Sequence, residues 1–448
     1  MRRRRILLGL ASTVYDKLLI AALQLLMVPL LLTHWGVPLY GCWVILATVP
    51  AFLALADLGF GGAAFVRMTA MVARGDRDGA VTVLQTACQL VAGASLVAMT
   101  VGLMAIAAVP ETWLPTDAEF PVSQARAVLA MLMLYTLVVL QSSLFSGSFS
   151  SVGLFPLYAF TNAHVYLLEC VLIALVVIGG YGPVAAAVAM LASRLAGLVM
   201  HAALLRRREP WLRYGFARAS RTERHILARS ARGMLAVPLG QATALQGTVL
   251  ALGAAAGPAA APVFVAARTL SRIALQMTQL LNHALLPEFA AAQAKEDSRG
   301  QAAMLTAVIA LSVAVSLPLA VVLAFGGDWI LRLWTAGALV ASAGLMPTLA
   351  MSVLLGGLWA PLSSLMYAVD RQDAFAWWYL GGGIVAVAVT AALASALGAT
   401  GAALALAVLD GVMVAVVGRF AWRFWLRGLP MVDVARAALR QGRAALQR

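Results

Sequence analysis

The chain has 448 residues, 62% of them hydrophobic and 11% charged, with a formal net charge of +14. Ordinary soluble domains hold about 45–50% apolar and about 25% charged residues, so this composition excludes soluble, disordered and coiled-coil classes and makes the bilayer the solvent. The apolar stretches run about 18 residues or more, which also excludes a barrel of short alternating strands.

The chain opens on Arg2–Arg5 and an apolar run. That start imitates a secretory leader, but Asp16 and Lys17 interrupt the run and no small-x-small site follows. It is expected to be a first membrane helix held inside by four arginines. A helix needs about 20 residues to cross about 30 Å of hydrocarbon. On that measure the chain predicts twelve spans. The first six are 10–33, 38–60, 80–108, 124–147, 156–178 and 183–205. The second six are 234–254, 260–286, 303–325, 342–367, 375–396 and 401–418. Only 206–233 and the C-terminal tail exceed a turn in length. In the tail, Pro430–Arg448, Val434, Ala438 and Leu446 are spaced against arginines, as on an amphipathic helix lying at the membrane surface.

Basic residues orient these spans. With the N-terminus in the cytoplasm, 26 of the 32 Lys and Arg residues fall in the tails and inner loops, and only Arg126 and Arg332 fall outside. The positive-inside rule then places both termini in the cytoplasm of a multi-pass inner-membrane protein. The inner loops meet anionic lipid, so the positive charge implies no nucleic-acid partner.

An internal repeat runs through the chain at an offset of 221 residues. Gly36 matches Gly257, and each is followed seven residues later by an aromatic, Trp43 or Phe264. Arg74, Asp76 and Gly79 match Lys295, Asp297 and Gly300, and Trp113 matches Trp334. Leu144 and Phe145 match Leu365 and Met366. The repeat predicts an all-α polytopic protein in which 1–205 is one six-helix lobe and 234–448 another, joined by a basic cytoplasmic linker at 206–233. Six is even, so the lobes insert in parallel around a central cavity, the plan of transporters built from repeats.

Ionisable groups inside spans are expensive and face cavities or partners. In the eighth span Arg268, Arg272, Gln276, Gln279 and His283 follow at steps of four, four, three and four, which aligns them on one face. Two cations on one stripe suit a phosphate-bearing substrate, because a guanidinium holds phosphate oxygens with parallel hydrogen bonds. The alternative for each arginine is an ion pair with a neighbouring helix. In the fifth span Tyr158, Asn162, Tyr166 and Glu169 make a second stripe. Glu169 is either a coupling-ion site or the partner of a basic residue such as Arg194. In the first span Asp16 and Lys17 either line the inner mouth of the cavity, with Asp16 a second coupling candidate, or pair near the interface. Asp57 is expected to end the second span, and Asp410 in the last has no assigned role.

Phosphate-binding loop, zinc-protease and nucleophile-elbow motifs are absent. Cys42, Cys88 and Cys170 have no partner at metal spacing. No cofactor, metal or catalytic residue is expected, and the protein reads as a transporter rather than an enzyme.

One further pattern is a resemblance. Thr33-His34-Trp35-Gly36, Tyr40-Gly41-Cys42-Trp43, Ala56-Asp57-Leu58-Gly59-Phe60 and Arg74-Gly75-Asp76 are similar to the start of Wzx-type polysaccharide flippases. Gly257-Pro258, Phe264 through Leu270 and Pro287-Glu288-Phe289-Ala290 are the matching second-half signs. These flippases belong to the multidrug/oligosaccharidyl-lipid/polysaccharide exporter (MOP) superfamily. The resemblance implies movement of an undecaprenyl-diphosphate-linked oligosaccharide between leaflets for O-antigen, capsule or exopolysaccharide synthesis. It implies membrane lipids and other polysaccharide-assembly proteins as partners. It also implies that Arg268 stands where related peptidoglycan-precursor flippases place a cavity arginine. Arg272, Gln276 and Lys17 complete the expected substrate site. Ala267 replaces the acid that often precedes that arginine, and Thr269 intervenes before Leu270. The several first-lobe arginines that line the cavity in those flippases are also missing, with Lys17 and Arg67 as approximate stand-ins, which argues against the peptidoglycan branch. A cation-coupled multidrug exporter of the same superfamily is the alternative.

Overall fold

The computed structural model describes residues 2–53, 59–116, 120–283, 298–368 and 371–426. Asp57, the stretch 287–290, Lys295, Asp297 and the tail 430–448 lie outside them. Every long element among the described residues is a helix. Ten are long and apolar enough to cross a membrane. Two further spans are hidden from that measure. The first helix, α1 (Arg2–Leu53), contains two spans, because it is broken at Gly36 by a backbone with φ 69° and ψ 173°. The eighth, α9 (Ala260–His283), is made too polar by its own stripe of side chains. The twelve expected spans are therefore all found.

The chain divides into two compact units, Met1–Ala242 and Thr243–Arg448. In the first, α1 runs beside α5 (Phe155–Ile178), and α6 (Pro183–Arg208) packs on α5 and on α4 (Val122–Ser151). Between membrane helices the hydrophobic effect adds little, so close approach over small residues holds them together. At Gly197 of α6 a Cβ would meet Val165 of α5 at 2.7 Å. The second span differs from its expectation. A separate helix, α2 (Phe60–Ala73), starts after a left-handed Gly59, so Arg67 lies on a helix rather than in a loop. The tight turn at Gly75 then leads to α3 (Arg77–Ala108), capped by Asp76, whose Oδ1 accepts from Gly79 N at 2.7 Å.

The expected linker 206–233 is folded onto this unit. After α6 ends at Arg208 the chain crosses the end of α3, and α7 (Arg221–Ala242) packs on α2 and α3. Buried Gln85 of α3 holds the crossing segment by two bonds. Its Nε2 donates to Arg213 O at 3.1 Å, and its Oε1 accepts from Arg218 N at 2.7 Å. Ser220 N donates to Thr86 Oγ1 at 3.0 Å. Tyr214 stacks on Phe145 at 4.3 Å, and its hydroxyl bonds Ser148 Oγ at 2.8 Å. Burial holds the Tyr214 phenol well above the ordinary tyrosine range. Leu212 and Leu227 join the core formed by Leu84, Val91, Phe149 and Leu205. Arg67 and Glu223 close the arrangement with a two-pronged ion pair, one bond of which, from Nη2 to Oε1, is 2.6 Å.

In the second unit, α10 (Ser298–Trp334), α11 (Leu345–Ala368) and α13 (Ala399–Ala421) pack closely, and α12 (Asp373–Leu397) lies against α13 and α8 (Thr248–Ala256). Small residues again set the approach: a Cβ on Gly357 would meet Ser316 Cβ at 2.8 Å, and one on Gly382 would meet Leu409 Cδ1 at 2.5 Å. The turn before α11 is tied to α13 by Ser342 and Thr400, whose hydroxyls bond at 2.8 Å.

Candidate functional site

The candidate site in the second unit is built on α9, the most one-sided of the described helices. Steps of four residues place Arg268, Arg272 and Gln276 on one face. Arg268 is buried, 7% exposed. Its Nη1 donates to the carbonyl of Leu245, and its guanidinium lies over the Phe264 ring, 5.2 Å from the centroid. Arg272 is exposed and Gln276 half-buried. Gln279 and His283 continue the helix, but their side chains are outside the described ones. Neither arginine has a carboxylate within ion-pair distance among the described residues, where four other pairs are found. The partner that Arg268 meets among the described residues is a backbone carbonyl on the preceding span.

That carbonyl belongs to a π turn, Thr243–Gly247, between α7 and α8. Nothing in the sequence announced it. A helix widens this way where its backbone ladder is locally disrupted, and such turns gather at functional sites.

Asp410 of α13 acquires a setting the sequence did not give it. Its Oδ1 accepts from Trp359 Nε1 of α11 at 2.9 Å, and Trp359 packs on Tyr379 of α12 with ring centroids 5.1 Å apart. An acid on one helix and an indole on another become neighbours only through tertiary packing.

In the first unit Glu169 is buried against Arg194 of α6, with Oε2 to Nε at 2.7 Å. Tyr135 of α4 donates its hydroxyl to Glu169 Oε1 at 3.3 Å and accepts from Arg194 Nε at 3.2 Å. Ser193 Oγ reaches Glu169 Oε2 at 3.5 Å. Arg194 also lies over the Tyr135 and Tyr166 rings. Of the two readings of Glu169, the structure displays the ion pair with Arg194. Asp16 is half-buried and its Oδ1 has no hydrogen-bond partner, while Lys17 is exposed. His201 is buried among Phe145, Phe149 and Tyr158 and bonds Thr161 Oγ1 at 3.0 Å. Among the described residues no group of His, Cys, Asp and Glu could hold a metal ion.

Solved structures share this architecture. An inward-facing multidrug-resistance MATE transporter of the MOP superfamily superposes with a TM-score of 0.76 at 15% identity, over 92% of this chain and 96% of that one. An outward-facing MATE transporter gives 0.67 at 14% identity, over 97% and 96%. A MOP-superfamily transporter from Pyrococcus furiosus, reported with a binding pocket of reversed polarity, gives 0.59 at 15% identity, over 93% and 92%. At such identities the likeness shows the fold: helical, polytopic, two-lobed. No curated protein matches in sequence. The sequence model of one family, described as lipid II flippase MurJ, matches residues 55–338, more than half of the chain. This is the branch that the missing first-lobe arginines and the residues around Arg268 argue against. Those departures do not outweigh a match over residues 55–338, and that expectation is corrected at the level of the family. The matched families are transporters rather than enzymes.

Proposed function

The chain belongs to the lipid II flippase family MurJ, and from that premise we propose that it moves a polyprenyl-diphosphate-linked glycan from the cytoplasmic to the periplasmic leaflet by alternating access. The observation that carries the reading is the pair Arg268 and Arg272 on one face of α9, with no carboxylate partner among the described residues. A mid-membrane arginine costs roughly 2.5–3.5 kcal/mol on insertion scales. Two on one stripe repel as well, and an anionic headgroup offsets both penalties. A diphosphate supplies the oxygens that a guanidinium holds in parallel. Gln276 adds a neutral donor to the same face, and Lys17 adds a cation near the inner mouth. The glycan travels in water and the polyprenyl tail in lipid. No bond is made or broken; transport needs only different affinities in two states facing opposite sides.

The proposed cargo is an undecaprenyl-diphosphate-linked oligosaccharide for O-antigen, capsule or exopolysaccharide, delivered to polysaccharide-assembly proteins of the inner membrane. Both termini are cytoplasmic on the count of basic residues. The description of the matched family favours a second cargo, lipid II itself. A cationic drug is disfavoured by the arginine stripe. For coupling, a proton taken up by Glu169 would break its bond to Arg194, and Asp16, with one oxygen unpartnered, is the other candidate.

The test is leaflet accessibility of the glycan lipid in intact spheroplasts, probed with a membrane-impermeant sugar-modifying reagent. Loss of the gene should leave the glycan lipid inaccessible, and Arg268→Ala should reproduce that loss while the protein still inserts. Unchanged accessibility in a strain without a related flippase overturns the reading. Rescue of a lipid II flippase deletion would select the second cargo.

A further inference from the structure

The seventh span is irregular for two reasons. Pro238 lacks an N–H and removes one backbone bond. Five residues later the helix widens into the π turn Thr243–Gly247. Such a turn inserts a residue into the ladder and turns carbonyls away from their usual donors. Two side chains answer those carbonyls. Thr248 Oγ1 donates to Ala244 O at 2.7 Å and reaches Leu245 O at 3.3 Å. Arg268 Nη1 donates to Leu245 O from α9. The buried guanidinium is thus satisfied by a carbonyl dipole and the face of Phe264, with no anion from any described residue.

We propose that the Leu245 carbonyl and a phosphate-bearing headgroup compete for Arg268, so that binding of the headgroup releases the π turn. The inference rests on the anion-site reading above and adds a consequence to it. The bond to the carbonyl is already assisted by the charge of the guanidinium, but a phosphate brings an opposite charge and two oxygens that the planar fork holds in parallel, so it displaces the single carbonyl; a neutral headgroup does not. Arg272, exposed and one turn further along the same face, meets the headgroup first. Transfer to Arg268 then leaves Thr248 as the side-chain donor to the Leu245 carbonyl. The first unit ends at Ala242 and the second begins at Thr243, so the released turn lies in the helix that carries the chain from one to the other. Substrate would loosen that helix by taking away its brace, and Arg268 would act as a positioning residue for the π turn as well as a ligand for cargo.

The experiment is amide hydrogen exchange on the full chain in nanodiscs, following peptides that cover 243–250, with ligand binding read in parallel as thermal stabilisation. The probes are geranylgeranyl diphosphate, inorganic pyrophosphate and, as the uncharged control, geranylgeraniol. A charge-assisted bond sets the expected scale at about ten- to a hundredfold faster exchange when the brace is lost. Geranylgeranyl diphosphate should produce that acceleration in the wild type, and geranylgeraniol should not. A response to pyrophosphate as well would mean that the free anion suffices; a response to the lipid alone would mean that the tail is required. Arg268→Ala should exchange fast without ligand and show no further response. Arg272→Ala should keep the slow basal exchange and respond more weakly. Should Arg268→Ala not fold, the wild-type comparison with and without diphosphate decides alone. Diphosphate that stabilises the protein but leaves 243–250 unchanged overturns the competition while sparing the anion site. No binding of either diphosphate overturns both. Fast basal exchange in Arg268→Ala without any diphosphate binding to the wild type would reduce Arg268 to a brace.

Discussion

Gly36 and Gly257 stand 221 residues apart and hold nearly the same backbone conformation, φ 69° with ψ 173° and φ 85° with ψ 165°. Each sits at the turn from an odd-numbered span to the next. That combination of dihedrals is open almost solely to glycine, because a Cβ would collide with the chain's own backbone. The matching conformation gives the sequence offset a physical meaning: the same turn is made twice, by the same residue type, for the same steric reason.

Alanine at either glycine should therefore destabilise the protein by about 1–3 kcal/mol, the usual penalty for such a strained residue. There is space at both sites, so crowding adds little: a Cβ at Gly36 would meet only Pro38 Cδ at 3.8 Å, and one at Gly257 would meet nothing within 4 Å. Thermal unfolding of Gly36→Ala and Gly257→Ala in one detergent measures this, and wild-type stability in either variant would refute the strain.

The Glu169–Arg194 pair should behave as one unit. Removing one partner of a buried pair leaves an uncompensated charge and costs about 3–5 kcal/mol. Glu169→Ala should be more damaging than the double variant Glu169→Ala with Arg194→Met, which removes both charges. Additive losses in a double-mutant cycle would count against direct coupling. The Glu169→Gln variant addresses transport: an altered pH dependence supports a coupling role, and unchanged transport with unchanged pH dependence assigns Glu169 to structure alone.

Much of this was legible in the sequence, and the division is physical. Span positions follow from the thickness of hydrocarbon, so ten helices, the break at Gly36 and α9 recover the expected twelve. The stripe Arg268–Arg272–Gln276 follows from helical periodicity. What could not be read were relations between helices distant in the chain. Arg67 counted as a loop residue because the second span had used its apolar length by Phe60. On the helix it meets Glu223, 156 residues later in the chain. Likewise Asp410 gained Trp359, His201 gained Thr161, and Arg268 gained the Leu245 carbonyl of a π turn, a feature with no sequence signature.

The two-pronged pair of Arg67 and Glu223 is partly exposed, so solvent screens it and its contribution is about 1 kcal/mol. Glu223→Ala should lower global stability only slightly but speed proteolysis or hydrogen exchange across 209–227. Protection unchanged in that stretch would show that Leu212, Leu227 and Gln85 hold it without the pair.

Tyr214 separates packing from hydrogen bonding in the same segment. Tyr214→Phe loses the Ser148 bond and should cost about 1 kcal/mol. Tyr214→Ala empties a space stacked on Phe145 and should cost about 3–5 kcal/mol. Because burial raises the folded-state phenol, its contribution is complete below the unfolded value of about 10 and is lost as pH climbs beyond it. The wild type should lose stability above about pH 10 more steeply than Tyr214→Phe. Equal slopes would mean that the phenol ionises freely in the folded state.

The latch that Gln85, Thr86, Phe145 and Arg67 form for the segment 209–227 also bears on biosynthesis. Every residue that receives the segment precedes it in the chain, and chains fold from the N-terminus as they emerge from the ribosome. The docking surface is thus complete before Arg213, Tyr214 and Ser220 are made, and the segment can dock as soon as it is synthesised. The span that follows carries Pro238 and a π turn, and the next span, α9, carries buried Arg268, so both are weak candidates for insertion on their own apolarity. A docked segment would hand the translocon a seventh span already anchored at its start.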